Sequence, residues 1–354
     1  MTTSLNSLLS RRSFLAISGG AVATATFSGG SVASPSAPVR VGLIGGDSDG
    51  ISLLARALRA DSGFRLVAVA DELNTRAQRV LDIFTHHRRR GGAHPQVDIR
   101  PDGVLTGADA AERLCAMPGI DVVFVAGIPA LRPRHVRAAL AGGKHVFMLG
   151  PGAVDADGCR ALVRAADYAE VAGLSIGVDM DVGGGTPAGP TSIDVRWQRT
   201  PWRRFVPGGS AVQNWYFDEA LSGGPLLTEN FALIDRVNQL KGAPPVLALG
   251  TIGDGSGEHA IEYRYADGSV FKLRFRLGNG LATEFDTHLA DGSPIPARAA
   301  DASNAVGSFL ERIPLGQQLG WRARLNRLVA TTQTAILGRD AASFGRQMEW
   351  AEIA

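Results

Sequence analysis

A glycine-rich turn follows the first apolar segment of the chain. The segment spans residues 39–44, and Gly45-Gly46-Asp47-Ser48-Asp49-Gly50 comes directly after it. In a G-x-G-x-x-G turn the first glycine allows a tight bend, the second lets the backbone approach a diphosphate, and the third allows close helix packing. Asp47 stands at the second position, with Asp49 nearby. Because like charges in a partly screened site repel by on the order of 1 kcal/mol or more, we expect Asp47 to weaken phosphate binding.

A second group of residues able to do chemistry lies further along the chain. Asp179 and Asp181 follow the apolar run at residues 174–178, and Glu229 lies beside Asn230 on a predicted helix. Carboxylates at the carboxyl end of a strand can act as acids and bases or bind the hydroxyls of a sugar. The alternative for the two aspartates is structural, since Asp commonly stabilises turns and a glycine run follows them.

Apolar runs that alternate with helical patterns predict the elements around the first of these groups. The runs are continuously hydrophobic rather than alternating, which is typical of parallel strands covered by helices on both faces. We predict strands at 39–44, 65–70, 121–125, 145–148 and 174–178, and helices at 51–60, 75–84, 134–141 and 155–172. Residues 39–180 are therefore interpreted as a Rossmann-type domain with a parallel sheet.

The pattern changes after a glycine- and proline-rich link at residues 183–190. Period-two segments follow, and Asp267-Gly268 indicates a hairpin turn between two of them because such turns need positive φ angles. A last helix is predicted at 322–337, ending at Gly338, since glycine often ends helices. The fold class is α/β, with residues 190–350 predicted to form an α+β domain whose sheet is mainly antiparallel.

Composition excludes several classes of function. Arg11 and Arg12 are the only charged side chains in residues 1–33, and the rest of the chain has 34 basic and 34 acidic residues. Zero formal charge argues against a nucleic-acid-binding protein, and the basic run at residues 86–90 is interpreted as a solvated loop. The two cysteines, Cys115 and Cys159, lie far apart in sequence. No metal-ligand spacing is present, and no disulfide framework is expected.

The first 33 residues have the pattern of a twin-arginine export signal. Arg11-Arg12 precedes Ser13-Phe14-Leu15 and a weakly apolar stretch rich in glycine, alanine and threonine, with small residues suited to cleavage at its end. We expect a periplasmic or secreted protein. After the signal, no apolar run reaches the roughly 18–20 residues that span a bilayer, so we expect no membrane segment in the mature chain; an uncleaved signal acting as an anchor is the alternative.

The order and spacing of several short motifs resemble the glucose-fructose oxidoreductase/inositol dehydrogenase (Gfo/Idh/MocA) family over nearly all of residues 39–350. The matching motifs are Val41-Gly42-Leu43-Ile44-Gly45, Ala68-Val69-Ala70-Asp71, Ala138-Ala139-Leu140-Ala141-Gly142-Gly143-Lys144-His145-Val146, Asn214-Trp215-Tyr216-Phe217 and Leu221-Ser222-Gly223. The resemblance implies NAD or NADP as cofactor and a sugar or cyclitol as substrate. It places cofactor contacts at Gly45, Gly46, Gly50, Asp71, Gly127 and Pro129.

Asp71 has a special place in this resemblance. It lies 21 residues after Gly50, at the end of the second predicted strand, where a carboxylate would bind the ribose and favour NAD over NADP. An aspartate at this place is also a common helix cap.

The catalytic positions implied by the resemblance have lost their usual side chains. Gly150 replaces the lysine of a Glu-Lys-Pro motif, and Ala232 replaces the histidine that would act as general acid and base, although Asp235 of the same motif is kept. At residues 130–132, where many members have an aromatic residue and histidines, the chain has Ala-Leu-Arg. Arg132 therefore remains a candidate alongside Asp179, Asp181 and Glu229.

Two hypotheses of different class follow. In the first, the chain is an exported pseudoenzyme of this family that acts as a binding or assembly partner, in a homo-oligomer or together with an active relative. In the second, it is an NAD(P)-dependent oxidoreductase, or an NAD-dependent glycosidase, that acts on a sugar or cyclitol through displaced groups such as Asp179, Asp181 or Glu229. Trp215 and Tyr216 could stack on a sugar, or could belong to the core.

Overall fold

The structure is a computed structural model of the chain, and Pro38–Ala354 form one compact unit in it. It describes residues 37–60, 63–85, 94–180, 193–199, 205–252, 258–277, 284–289, 305–314, 316 and 320–354. The predicted export signal, Asp181 and the glycine run after it lie outside these residues.

The first sheet has six parallel strands in the order β3-β2-β1-β4-β5-β6. They are β1 (Val39–Ile44), β2 (Phe64–Asp71), β3 (Val104–Thr106), β4 (Val122–Val125), β5 (His145–Met148) and β6 (Ile176–Val178). Helices cover both faces: α1 (Ser48–Arg59), α2 (Asn74–Phe84), α3 (Ala110–Ala116), α4 (Arg132–Ala141) and α5 (Ala156–Val171). Almost every residue of the central strands is buried, which explains their continuous apolar runs.

Two hydrophobic clusters hold this sheet, and they include residues from its two faces. Cys115 and Cys159 belong to the larger cluster. Both are free thiols, and burial raises the pKa of each to about 12. A thiol that does not ionise is a poor nucleophile, so both cysteines serve as core residues. The predicted parallel sheet is confirmed, although the three-residue edge strand β3 was not expected because it is too short to show a pattern.

The second sheet is mainly antiparallel and has the order β11-β7-β10-β9-β8-β12. Its strands are β7 (Ile193–Arg199), β8 (Leu247–Ile252), β9 (Glu258–Arg264), β10 (Val270–Leu277), β11 (Glu284–Leu289) and β12 (Gln347–Glu349). Only β7 and β10 pair in parallel among these described strands. The predicted hairpin joins β9 to β10, with Gly268 at φ +80°.

Further helices complete the described fold: α6 (Glu219–Ser222), α7 (Pro225–Thr228), α8 (Phe231–Lys241), α9 (Ala305–Arg312) and α10 (Trp321–Phe344). The prediction that the last helix ends at Gly338 is wrong. Gly338 lies inside α10, where a Cβ would come within 2.0 Å of the Tyr263 hydroxyl, so this glycine allows close packing. The helix ends instead at Gly345, φ +59°. Glu229 and Asn230 do not lie within a helix as predicted but at the junction of α7 and α8.

Candidate functional site

The strand order reverses between β1 and β4, and the crevice at their carboxyl ends is the place where open α/β sheets bind ligands. Gly45 begins the turn at φ +98°, and a Cβ on it would lie 2.5 Å from the amide nitrogen of Gly127. A Cβ on Gly50 would lie 1.8 Å from the carbonyl oxygen of Gly45. The first and third glycines of the turn therefore have the packing roles that the sequence predicts.

Asp47 replaces the second glycine and caps helix α1 with its own side chain. Its Oδ1 accepts hydrogen bonds from the amides of Asp49, at 3.1 Å, and Gly50, at 3.4 Å. The residue is only 5% exposed. Free amides and the helix dipole make a helix N-terminus a binding place for anions. In this chain a carboxylate of the protein itself occupies that place.

Asp71 is used by the backbone of the same turn. Its Oδ2 accepts from the Gly46 amide at 2.8 Å, and its Oδ1 accepts from the Leu73 amide at 2.9 Å. Burial raises the pKa of Asp71, while these two hydrogen bonds and the charge of Arg76 act in the opposite direction. The arrangement favours the structural alternative for Asp71, because both oxygens bind backbone amides, one in the glycine turn and one in the loop that leads into α2.

A small cavity, here called the turn cavity, lies beside Asp47 and Asp71. Its volume is about 50 Å³, and its lining includes Arg76, His135 and Val212. The Arg76 guanidinium donates to the Val212 carbonyl at 2.8 Å and so holds the segment around residue 212 against the cavity. Drug-sized ligands occupy pockets of about 300–1,000 Å³. As arranged, the turn cavity and the Asp47 carboxylate do not fit the adenosine and diphosphate of a dinucleotide.

A larger cavity of about 300 Å³, here called the carboxylate cleft, lies on the other side of the α1 N-terminus. Its polar lining includes Asp49, Arg56, Arg132, Asp179, Tyr216 and Glu229, and its apolar lining includes Pro129, Trp215 and Phe231. Asp179 and Glu229 thus line the same cavity, and their catalytic role stays a prediction. Of the predicted cofactor residues, Gly45, Asp71 and Gly127 line the turn cavity and Pro129 lines the cleft, whereas Gly46 and Gly50 line neither.

Two side-chain pairs define the chemistry of the carboxylate cleft. Asp179 accepts from the Arg56 guanidinium, Nη2 to Oδ2, at 2.8 Å, and both side chains are partly buried. Tyr216 donates its phenolic hydroxyl to Oε1 of Glu229. Sequence reasoning named both carboxylates but missed Arg56, whose helical position gives no signal, and it treated Tyr216 only as a stacking or core residue. A donor and an acceptor in each pair suit the recognition of a ligand rich in hydroxyls.

Arg132 is a structural clamp rather than a free functional group. It is 1% exposed, and its guanidinium donates to the carbonyls of Gly127 at 2.9 Å and Pro151 at 2.6 Å. A third contact, to the carbonyl of Leu149, measures 3.3 Å. These bonds join the loops after β4 and β5, which form one wall of the cleft.

The three positions that the resemblance assigns to catalysis differ in their surroundings. A Cβ on Gly150 would lie 2.3 Å from the ring of Phe231, so the ring fills the space that a lysine would need. Ala232 lines the carboxylate cleft without a polar group. The retained Asp235 pairs with Arg327, Nε to Oδ1, at 2.8 Å, which ties α8 to α10.

Two features are absent from the part of the chain that the structure describes. Among the described residues, no group of three or more His, Cys, Asp or Glu side chains could hold a metal ion. None of the helices that the structure describes is both long and apolar enough to cross a bilayer.

Three solved structures share the fold at low sequence identity. Myo-inositol 2-dehydrogenase from Lactobacillus plantarum has a TM-score of 0.62 and 14% identity, over 88% of this chain and 99% of that chain. Levoglucosan dehydrogenase in complex with NADH has a TM-score of 0.60 and 16% identity, over 88% and 99%. Aldose-aldose oxidoreductase from Caulobacter crescentus in complex with glycerol has a TM-score of 0.59 and 16% identity, again over 88% and 99%.

Similarity at the level of sequence is more limited. No curated protein matches the chain. Residues 39–178 match the Gfo/Idh/MocA family model, described as an oxidoreductase family with an NAD-binding Rossmann fold. Residues 39–178, which contain the first sheet, are thus similar in sequence to the NAD-binding Rossmann domain of that family. The fold as a whole resembles that of the sugar and inositol dehydrogenases named above.

Proposed function

We propose that this protein binds a sugar-like ligand in the carboxylate cleft and has lost dinucleotide-dependent hydride transfer. One observation supports the loss of dinucleotide-dependent activity: the Asp47 carboxylate accepts hydrogen bonds from the Asp49 and Gly50 amides at the N-terminus of α1. A diphosphate placed there would lose these donors and would meet a negative charge, which is unfavourable in a partly screened site.

The chemistry of the cleft supports a polyhydroxylated ligand. Asp179 and Glu229 supply acceptors, Arg56 and Tyr216 supply donors, and Trp215 adds an apolar surface. Carboxylate oxygens accept hydrogen bonds, and guanidinium and phenol groups donate them, so such a lining can bind the hydroxyls of a sugar. Proteins of the same fold act on inositol, levoglucosan and aldoses according to their names, and we extend that ligand class to this chain.

We further propose that the protein is exported by the twin-arginine pathway and works as a binding or assembly partner in the periplasm or outside the cell. The support is the Arg11-Arg12 motif and the small-residue stretch after it. This pathway carries folded proteins, so the protein can form its binding site before it is exported.

The first test combines native mass spectrometry with thermal shifts. The chain purified without added ligand is expected to carry no NAD or NADP, and neither nucleotide at millimolar concentration should raise its Tm. Inositol and a panel of aldoses should include at least one ligand that raises Tm in the parent protein and fails to do so in Arg56→Ala. A co-purifying dinucleotide would contradict the proposal.

A second candidate function is an NAD(P)-dependent oxidoreductase or glycosidase. The match of residues 39–178 to an NAD-binding family favours this candidate. The hydrogen bond from Tyr216 to Glu229 beside the cleft also favours it, because the two side chains can hold a proton at the Tyr216 oxygen. If this candidate is right, Glu229→Gln and Tyr216→Phe should each abolish turnover without lowering Tm. Retention of full turnover in both variants would return the pair to a structural or binding role.

A further inference from the structure

Four aromatic rings lead from the carboxylate cleft to the surface, and we call them the aromatic ladder. In order they are Trp215, Tyr216, Phe217 and Phe205, with ring centroids 6.1, 5.1 and 5.8 Å apart. Their exposed fractions rise along the ladder from 3% and 9% to 42% and 59%. The inner two rings line the cleft, so the outer two continue its apolar surface into solvent.

The two halves of the ladder are held together by Asn214. The Val206 amide donates to Oδ1 of Asn214 at 2.8 Å, and Nδ2 of Asn214 donates to the Val206 carbonyl at 3.0 Å. The asparagine itself is buried. Phe205 is therefore fixed beside Phe217 by a paired hydrogen bond one residue away, and the two exposed rings form a prepared surface.

Leaving two phenylalanines exposed on such a fixed segment has a cost. Burial of a phenylalanine side chain stabilises a fold, and large contiguous exposed apolar patches usually mark binding sites. The exposed apolar side chains described on this segment are few: Phe205, Phe217 and Val206. A standard protein–protein interface uses about 20–30 residues from each partner, so the ladder suits a smaller ligand.

We infer that the cleft and the aromatic ladder form one extended site for a saccharide of at least two units. This inference rests on the proposed function. One sugar unit lies in the carboxylate cleft, where its hydroxyls meet the Arg56–Asp179 and Tyr216–Glu229 pairs. The next unit packs against Phe217 and Phe205, whose rings stand at 81° to each other, so its C–H face lies on one of the two rings. The negative face of an aromatic ring attracts such polarised C–H groups.

The test compares monosaccharides with matched disaccharides. The probes are methyl β-glucoside with cellobiose, methyl α-mannoside with α-1,2-mannobiose, and methyl β-galactoside with β-1,4-galactobiose, each titrated by calorimetry into the full mature chain. For the sugar that binds, the disaccharide should bind about tenfold more tightly than the monosaccharide, since one added contact of this kind is worth on the order of a factor of ten.

Variants locate the source of that gain. Phe205→Ala/Phe217→Ala should reduce the disaccharide preference to within about twofold and leave the monosaccharide Kd unchanged. Phe205→Leu/Phe217→Leu keeps apolar side chains but removes the rings, so it should lose the preference too while keeping the Tm of the parent protein. Phe344→Ala is the matched control, because Phe344 is an exposed phenylalanine outside the ladder, and it should change neither Kd.

The outcomes separate the inference from the proposed function. Equal affinity for mono- and disaccharides in the parent protein, or a preference that survives in both double variants, overturns the extended site while the proposed function stands. Failure of every probe to bind overturns the extended site. The proposed function is overturned as well only if inositol and the aldoses also fail to raise Tm. A parent protein that self-associates in light scattering, and double variants that do not, would identify the ladder as a contact between copies and also overturn the inference.

Discussion

At the scale of single residues, Asp47 decides how the turn after β1 can be used. Asp47→Gly removes the carboxylate from the amides of Asp49 and Gly50 and restores the glycine that a diphosphate needs there. We expect NAD to bind at least about tenfold more tightly to this variant. The fold should lose about 1 kcal/mol of stability with the cap. Calorimetric titration and urea unfolding measure the two effects.

Asp49→Asn is the matched control for Asp47→Gly. It removes a neighbouring negative charge but leaves the Asp47 cap on the Asp49 and Gly50 amides. We expect its NAD affinity to change by less than about threefold, because Asp49 is only half-buried and solvent and salt partly screen its charge. An affinity of Asp47→Gly no higher than that of the parent protein would refute the role assigned to the Asp47 carboxylate.

His135 gives a second prediction at this scale, one that concerns pH. It is buried beside the turn cavity, and burial lowers its pKa from 6.5 to about 4. Because the unfolded chain binds a proton at higher pH than the folded chain does, the contribution of His135 to stability is complete above pH 6.5 and is lost as the pH falls towards 4. The size of the loss is about 3 kcal/mol.

His135→Gln cannot titrate and tests this directly. Between pH 7 and pH 4 the free energy of unfolding of the variant should fall by about 3 kcal/mol less than that of the parent protein. Urea unfolding at each pH is the measurement. Parallel pH profiles for the two proteins would show that the burial of His135 does not control acid stability.

At the scale of elements, helix α1 depends on Gly50 for its contact with the turn. Helix propensity alone favours alanine over glycine by about 1 kcal/mol. The Cβ would nevertheless lie 1.8 Å from the Gly45 carbonyl oxygen, inside backbone that cannot give way. We expect Gly50→Ala to destabilise the fold by about 3 kcal/mol, as measured by urea unfolding.

Gly143→Ala is the control for the Gly50 prediction. Gly143 has φ +71°, and a Cβ added to it would have nothing within 4 Å, so alanine there meets strain but no clash. It should cost about 1 kcal/mol. If Gly50→Ala proved the milder of the two changes, α1 would have to shift easily against the turn, contrary to the close packing of Gly50 on Gly45.

Elements also show how far sequence patterns reach. The strands of the first sheet, apart from β3, can be predicted to within a residue or two, because buried parallel strands consist of continuous apolar residues and the helices between them are amphipathic. The pattern around Gly338 predicts a helix end, although this glycine lies inside α10 and packs closely against Tyr263. A glycine kept for the end of a helix and one kept for close packing look alike in a sequence.

At the scale of the whole molecule, the clearest prediction concerns export. Arg11→Lys/Arg12→Lys keeps the charge of the signal but removes the paired arginines that the twin-arginine pathway reads. We expect the protein to accumulate in the cytoplasm as an uncleaved, folded precursor, detected by cell fractionation and immunoblotting. The division of the mature chain near residues 180–190 stays a prediction.

Arg88→Lys/Arg89→Lys is the control for export, since it alters an adjacent arginine pair of the same chain outside the signal. That variant should be exported as the parent protein is. Equal export of the parent protein and both variants would mean that the Arg11-Arg12 motif is not the export signal of this protein.

The sequence by itself determined the class of the fold and the glycine turn with Asp47 in it. It also placed Gly150 and Ala232 where the resemblance predicts a lysine and a histidine. These features depend on local patterns and on residue types at fixed spacings, which a linear chain displays directly. The sequence also named Asp179 and Glu229 as candidates, but not what they bind.

Only the tertiary structure decided the partners of those candidates. Arg56 and Asp179 are 123 residues apart in the chain and meet at 2.8 Å; Asp71 turned out to hold backbone amides, and Arg132 turned out to hold carbonyls. The physical reason is that hydrogen bonds and ion pairs act over a few ångströms in space. A chain folded into two sheets brings together groups whose distance no local pattern encodes.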